Sequence, residues 1–315
     1  MSGSCLRVLV DGPRGPAANM AIDEALQRRV AAGASGPVLR FYRWDPPSLS
    51  FGYAQSIAHL VDPAAAVAAG IGLVRRMTGG RVVFHGDEWT FSLVVPLPWL
   101  DRALAGREDQ TADPNDQEAG GEPAFLQRFR ALIAPLVTGL QAMGLAARFA
   151  TDREVRANLG GHPAAASGRG VHCYQAAAGH SIYVGGRKLV GAAGVVREGV
   201  MAVHGSLPIH PVELPVEIWR DPAVGRAWHE LNVAWLGDLL PAPERETLPH
   251  RLASSWSESW GIPFVIDRLA DPEEQLAARL AVARYDRLDW KINEPGWADQ
   301  EALLAPLSRL PEGAS

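Results

Sequence analysis

The chain has 315 residues, room for one large core or two modest domains, with 47% apolar and 21% charged residues and a formal net charge of −5. That mild acidity argues against general nucleic-acid binding, which calls for a basic domain, and no apolar run reaches the roughly 18 residues of a membrane span. Two cysteines make no disulfide framework and the apolar stretch after Met1 is too short for a signal peptide, so a reducing, cytoplasmic setting is the expectation.

In chain order, residues 6–10 read as a short apolar strand. Pro16 to Ala32 then reads as a helix, with Met20, Ala25, Leu26 and Val30 on one face and Gly33 as a stop. Leu39–Trp44 and Leu49–Tyr53 look like strands around the Asp45-Pro46-Pro47 turn. Asp62-Pro63 starts a short Ala-rich helix that ends at Gly70. Ile71–Arg76 and Glu88–Val95 are predicted strands flanking the segment from Met77 to His85; in the second, Thr90 and Ser92 alternate with apolar residues as in a half-buried strand.

Residues 101–122, rich in Asp, Glu, Gln and Gly, read as a mobile surface loop. A helix follows from about Ala124 to Met143, kinked at Pro135. Gly160 to Gly170 is a second permissive loop. Strands Ser181–Val184 and Lys188–Val190 bracket Gly185-Gly186, and a third runs near Val200–His204. A proline-spaced connection from Pro208 to Arg226 leads to helices over about Gly225–Leu239, Arg245–Trp260 and Asp271–Asp286, the last with acidic residues in its first turn. No internal repeat is visible. The fold class is α+β, a mixed or antiparallel sheet flanked by helices.

Of 30 basic residues only Lys188 and Lys291 are lysines. Under such pressure toward arginine a retained lysine poses a chemical question, because the lysine pKa moves readily on burial and that of arginine does not. Lys188 sits in a glycine-flanked stretch from Gly185 to Ala193, and Cys173 lies 15 positions before it. A lone cysteine is more often a small buried hydrophobe than a nucleophile. A nearby ammonium, however, favours the reactive thiolate. A turn at Gly185-Gly186 between the two strands would fold Lys188 back toward the segment carrying Cys173, a proposed arrangement rather than one deduced from spacing. His172 points away from its neighbour on an extended segment, which leaves His180 or His85 better placed to help.

The segment Arg75-Arg76-Met77-Thr78-Gly79-Gly80-Arg81 has paired glycines whose amides suit an anionic or carbonyl ligand; a plain tight turn with solvated arginines is the alternative. Nucleotide P-loop spacing is absent. The nine histidines are scattered without zinc-ligand spacing, so no metal is expected. Trp228, Trp235, Trp256 and Trp260 fall at helical positions suited to a core.

Six segments then form an ordered series. Asn19-Met20-Ala21-Ile22-Asp23-Glu24-Ala25, Leu39 to Trp44, Ser50-Phe51-Gly52-Tyr53-Ala54-Gln55, Arg75 to Arg81, Gly186 to Ala193 and His204-Gly205-Ser206 resemble, in order, blocks of the biotin/lipoate protein ligase and lipoyl transferase family. The match covers about residues 10–210, and more loosely Ala283-Arg284-Tyr285 and Asp289-Trp290. His85-Gly86-Asp87-Glu88-Trp89-Thr90-Phe91-Ser92 and the Cys173-to-Lys188 spacing are similar to the octanoyltransferase branch rather than the ATP-using ligases. The departures are Ala192, where the family commonly has Ser, Gly194 in place of a polar residue, and Gly179-His180-Ser181 after the cysteine; they bear on hydrogen bonding of the acyl carbonyl.

The resemblance implies a biotin/lipoate ligase-like catalytic domain over 1–240 and a helical C-terminal extension over 241–315. It implies transfer of octanoyl from acyl carrier protein to a lysine of a lipoyl-domain protein, such as glycine-cleavage H protein or a 2-oxoacid dehydrogenase acyltransferase subunit. Cys173 and Lys188 are then the expected catalytic pair. Arg76, Thr78, Gly79, Gly80, Arg81, His85, Gly191, Ala192, Ala193 and His204 are the expected substrate-binding residues. Arg75, Arg76, Arg81 and Arg187 are candidates for contacting acidic carriers. Passing from thioester to thioester to amide needs no ATP, so no cofactor is expected. The rivals are an ATP-dependent lipoate ligase, an amidotransferase fed by octanoylated H protein, and a non-catalytic carrier-binding relative.

Overall fold

A computed structural model describes residues 5–105, 124–151, 153–155, 173–175 and 178–287. The loop expected over 101–122 is corrected at its start, where residues 101–105 belong to a helix, Leu97–Ala105; the rest of it, the Gly160–Gly170 loop, His172, and Asp289-Trp290 with the rest of the chain's end lie outside the described residues.

The order is β1 (Leu6–Arg14), α1 (Pro16–Ala31), β2 (Val38–Trp44), β3 (Ser48–Phe51), α2 (Ile57–Leu60), α3 (Pro63–Ala68), β4 (Gly72–Arg75), β5 (Val83–His85), β6 (Glu88–Pro96) and α4 (Leu97–Ala105). After it come α5 (Ala124–Ala142), β7 (Ala147–Phe149), a 3₁₀ turn at Cys173–Gln175, β8 (Ile182–Val184), β9 (Arg187–Arg197) and β10 (Val200–Pro208). The described chain closes with α6 (Pro222–His229), α7 (Leu236–Leu239), α8 (Ala242–Trp260), β11 (Phe264–Asp267) and α9 (Asp271–Leu280), which runs into a π-helical turn, Ala281–Tyr285. Eight strands form a mixed sheet in the order β11-β1-β2-β6-β10-β9-β8-β7, and three form a smaller sheet, β4-β3-β5. The α+β expectation stands. Among the described residues no helix is long and apolar enough to cross a membrane, and no cluster of His, Cys, Asp or Glu could hold a metal ion.

Strand alternation gives the large sheet two unlike faces. On β6, Trp89, Phe91, Leu93 and Val95 join the core under α5 and α8, together with Leu39, Phe41, Met201, Val203 and Trp256. The other face carries Glu88, Thr90 and Ser92. The register places Tyr42 and Arg40 of β2 opposite Thr90 and Ser92, and Ser206 and His204 of β10 opposite the same pair. Gly191 and Ala193 of β9 lie beyond them. Helix α1 covers the apolar end of this face, with Met20, Ala21 and Leu26 against Val38, Val94 and Ala202. The small sheet packs on its own core of Leu49, Phe51, Leu73 and Phe84. Between them the polar middle of the face is roofed over.

Several predicted elements need correction. The helix expected over Gly225–Leu239 is two helices, α6 and α7, separated at Glu230–Trp235, because Leu231 to Ala234 runs alongside Lys188 as a bridge: the Lys188 N–H donates to Asn232 O at 3.2 Å and the Ala234 N–H to Lys188 O at 2.9 Å. The strands around Lys188 and Val200 run to Arg197 and Pro208, so they form a long antiparallel pair. Three strands, β5, β7 and β11, were not anticipated. β11 joins the large sheet beside β1, where Arg7 bonds Asp267 and Glu273 at 2.6 Å.

Candidate active site

The site begins with two buried arginines. Arg75 and Arg76 are at most 3% exposed, which corrects the reading of both as solvated or carrier-binding side chains. The Arg75 Nη1 donates to the carbonyls of Tyr53 and Gln55, each at 2.6 Å. Arg76 brackets the glycine loop: Nη2 donates to Gly79 O at 3.0 Å and Arg81 O at 2.9 Å, while Nη1 donates to Ser50 O at 2.7 Å and Ser50 Oγ at 2.8 Å. Gly79 and Gly80 are therefore shaped by an arginine that takes their carbonyl side. Gly80 has a positive φ of 92°, and a Cβ on Gly52 would lie 1.9 Å from Gly80 O, so the loop closes only over a glycine. Burial pushes the Arg76 guanidinium down to about 10, with the Cys173 sulfur and Tyr42 pulling the other way.

The same loop carries the cysteine. One residue past Arg81, the Val82 carbonyl accepts the backbone N–H of Cys173 at 2.9 Å. Lys188 is 3% exposed and its Nζ donates to the Cys173 carbonyl at 2.9 Å. A Cβ on Gly191 would lie 3.0 Å from Cys173 Sγ and 3.6 Å from Lys188 Nζ, so sulfur and ammonium flank one bare position of β9. Burial lowers the Lys188 pKa from its ordinary value, opposed by the Cys173 sulfur and aided by Arg81. His180 is held down to about 4 by burial and by Lys188; its ring packs on Phe129 at 4.4 Å. Gly194 has a packing reason as well, since a Cβ there would meet the Phe129 ring at 2.8 Å.

Cys173 opens onto a narrow cavity on the polar face of the large sheet. Seven of the expected residues line it: Arg76, His85, Cys173, Gly191, Ala192, Ala193 and His204. Thr78 reaches it through His204, Oγ1 to Nε2 at 2.7 Å. Gly79, Gly80 and Arg81 act on it through Arg76, and Lys188 stands beside Cys173. Arg187, on the rim of β9, is near Asp238 at 3.8 Å.

The polar groups around this cavity are satisfied among themselves. Arg76 can only donate, so Ser50 Oγ accepts from it and gives its own proton to His85 Nε2 at 2.5 Å. His85 Nδ1 then donates to Glu88 Oε1 at 2.8 Å. Glu88 also accepts from Ser206 Oγ at 2.9 Å and from the Thr90 hydroxyl, and Thr90 Oγ1 accepts from Trp44 Nε1 at 2.8 Å. The His85 ring stacks on Trp44 at 3.9 Å. A second chain runs from His204 to Asp23, 3.8 Å away, which Arg40 and Tyr42 bond at 2.9 and 3.0 Å. Burial and Arg76 lower the His204 pKa against the pull of Asp23. With hydroxyls and rings tied down this way, the cavity presents mainly their apolar sides, together with Met20 and Val83.

Trp44, Ser50, Glu88, Thr90, Ser206 and Asp23 were not singled out as site residues. For Ser50, Glu88, Thr90 and Ser206 the signal was present as polar residues at alternate positions of buried strands. Asp23 is held by α1, whose next residue, Glu24, bonds Arg284 at 2.7 Å and Tyr285 at 2.6 Å in the π-helical turn.

Residues 15–113 match the family described as lipoyl protein ligase A/B catalytic domain. The octanoyltransferase LipM of Kyrpidia tusciae is 34% identical over 298 residues, covering 91% of this chain and 98% of the relative. LipM of Moorella thermoacetica is 32% identical over 302 residues, covering 92% and 98%. Among solved structures, one reported as a bi-partite lipoate protein ligase and its E2 lipoyl domain from Thermoplasma acidophilum shares the fold, with a TM-score of 0.67 at 23% identity over 94% of this chain and 98% of that one. The chain belongs to the lipoyl protein ligase A/B family, alongside the LipM octanoyltransferases.

Proposed function

We propose that this protein is an acyltransferase of protein lipoylation that moves an octanoyl group from acyl carrier protein to a lysine of a lipoyl domain, holding it in between as a thioester on Cys173. The observation that carries this reading is the convergence of Cys173 Sγ and Lys188 Nζ on Gly191, at the cavity wall. The names of the LipM relatives support octanoyl as the group transferred.

The Cys173 thiolate attacks the donor carbonyl; the new C–S bond forms as the carrier's C–S bond breaks, and the carrier leaves as a thiolate that takes a proton from water. Lys188 supplies positive charge beside the sulfur and the developing oxyanion, in a site shielded from water. Arg76 adds a second buried cation while fixing the Gly79–Arg81 loop. The acyl chain occupies the cavity, and the acceptor amine then attacks the thioester carbonyl: the C–N bond of the amide forms, the C–S bond to Cys173 breaks and the cysteine is released as the thiol. No step draws on a nucleotide.

Incubating the protein with octanoyl-acyl carrier protein, without ATP, should add one octanoyl mass that hydroxylamine removes. Cys173→Ser should lose that labile adduct. Labelling that appears only with ATP and free octanoate would overturn the reading in favour of a ligase, and labelling only from octanoylated H protein would move it to an amidotransferase.

A further inference from the structure

A second, larger cavity, of about 390 Å³, lies on the other side of the wall that carries Cys173. Alternation separates the two. On β5, Val83 and His85 face the acyl cavity while Phe84 faces the second; after Cys173, Tyr174 does the same. Val233, which bridges to Lys188, packs with Tyr174 and Val83 as the plug between them. Lys188 Nζ sits 5.6 Å from the Tyr174 ring centroid on the far side. One residue's thickness thus separates this space from each member of the Cys173–Lys188 pair.

The lining has a definite chemistry. Its walls are aromatic and aliphatic, with Phe84, Trp228 and Trp235 beside Leu231 and Val233. Its charged members are Asp87, Glu88 and Glu213 with two histidines, His210 and His229; among the described residues that line it there is no lysine and no arginine. Asp87 is shared with His210 at 2.6 Å and Arg43 at 3.7 Å, and Glu88 belongs to the network of the acyl cavity. Glu213 is exposed, and no ion pair engages it among the described residues. The Tyr174 hydroxyl is buried and has no hydrogen-bond partner there either. A polyphosphate would meet carboxylates in such a space. An alkylammonium group meets aromatic faces and negative charge, both of which attract it.

Resting on the function proposed above, we infer that this cavity admits the side chain of the acceptor lysine, its methylenes between the aromatic walls and its nitrogen directed past Tyr174 to acyl-Cys173. The ammonium releases one proton to water as it enters and attacks as the amine. The C–N bond forms, the C–S bond to Cys173 breaks, and the second nitrogen proton ends on the sulfur as the thiol.

The two half-reactions test this in the full chain. Cys173 is first acylated with S-octanoyl-N-acetylcysteamine, a donor with a short arm; the acyl-enzyme is then mixed with an unlipoylated lipoyl domain and the adduct followed by mass. Glu213→Lys and His229→Trp, both at exposed residues that line the cavity, should each slow the second step at least about 10-fold and leave acylation within about twofold. Glu213→Asp should keep the second step near that of the parent. Loss of acylation alone, equal loss in both steps, or no change in the second step would overturn the assignment. Failure of the unaltered chain to acylate Cys173 would instead sink the proposed function, so the two outcomes stay distinct.

Discussion

The Lys188 ammonium donates to the backbone carbonyl of the residue it is expected to activate, Nζ to Cys173 O at 2.9 Å. The tie is to the main chain of the 3₁₀ turn, so it fixes the lysine relative to the sulfur whatever group the sulfur carries.

Lys188→Met should therefore fold and still lose Cys173 acylation by about 10²–10³-fold, the usual cost of removing one preorganised oxyanion donor. Lys188→Arg should not restore it, since a planar fork cannot replace a compact ammonium beside Gly191. Burial lowers the Lys188 pKa, so the charge disappears at lower pH than for an ordinary lysine. Acylation should fall as pH rises through that lowered value, below 10.5. Stopped-flow acylation rates against pH check this; an alkaline limb retained in the Met variant would assign it to another group.

Arg76→Lys tests the loop. The guanidinium serves Ser50 O, Ser50 Oγ, Gly79 O and Arg81 O, and an ammonium with three donors at one point cannot span them. Each buried acceptor left unserved costs about 1–3 kcal/mol. Tm should drop by several degrees and acylation should slow by about 10-fold or more, because Val82, the next residue, anchors Cys173. A lowered Tm with an unchanged acylation rate would separate the loop from the nucleophile.

The sequence showed the parts with strong local signals. Pro16, the Asp62-Pro63 pair and the acidic start at Asp271 marked helices, and the Thr90/Ser92 alternation marked the strand at the middle of the sheet. It hid β5, three residues pressed between Gly80 and Gly86, and β11, an edge strand that leaves Val265 and Ile266 exposed. The convergence of Cys173 and Lys188 depends on a turn plus a bridge to Val233, and no local pattern encodes such a bridge. The buried state of Arg75 and Arg76 was equally illegible. An arginine serving loop carbonyls and one in solvent share the same letter, and only the closed loop supplies the acceptors.

His180 should make stability pH-dependent. Burial and Lys188 hold it down to about 4, against an ordinary 6.5. Between those values the unfolded chain binds a proton that the folded one refuses. Stability is complete above about 6.5 and declines as pH falls toward about 4, by up to roughly 3 kcal/mol. Urea unfolding of the parent and of His180→Asn across this range should show a smaller slope in the variant; identical slopes would place the proton uptake elsewhere.

Met20 should set acyl chain length. The cavity runs across the strands: Gly191 beside the sulfur is on β9, Ser206 on β10, Thr90 on β6, and Tyr42 and Trp44 on β2, with Met20 reaching in from α1. Three strand spacings span about 14 Å, a length suited to a medium acyl chain with Met20 at its far end. Met20→Ala should extend the cavity and Met20→Trp should shorten it. Each buried methylene gains about 0.8 kcal/mol, so two more should shift the ratio of decanoyl to octanoyl acylation by about 10-fold toward decanoyl in the Ala variant, and shorter chains should gain in the Trp variant. Mixed acyl thioesters competing for Cys173, read by the mass of the adduct, give that ratio directly. An unchanged ratio in both variants would mean that the chain instead runs along the β9–β10 pair past Ala193 and His204, leaving Met20 as packing.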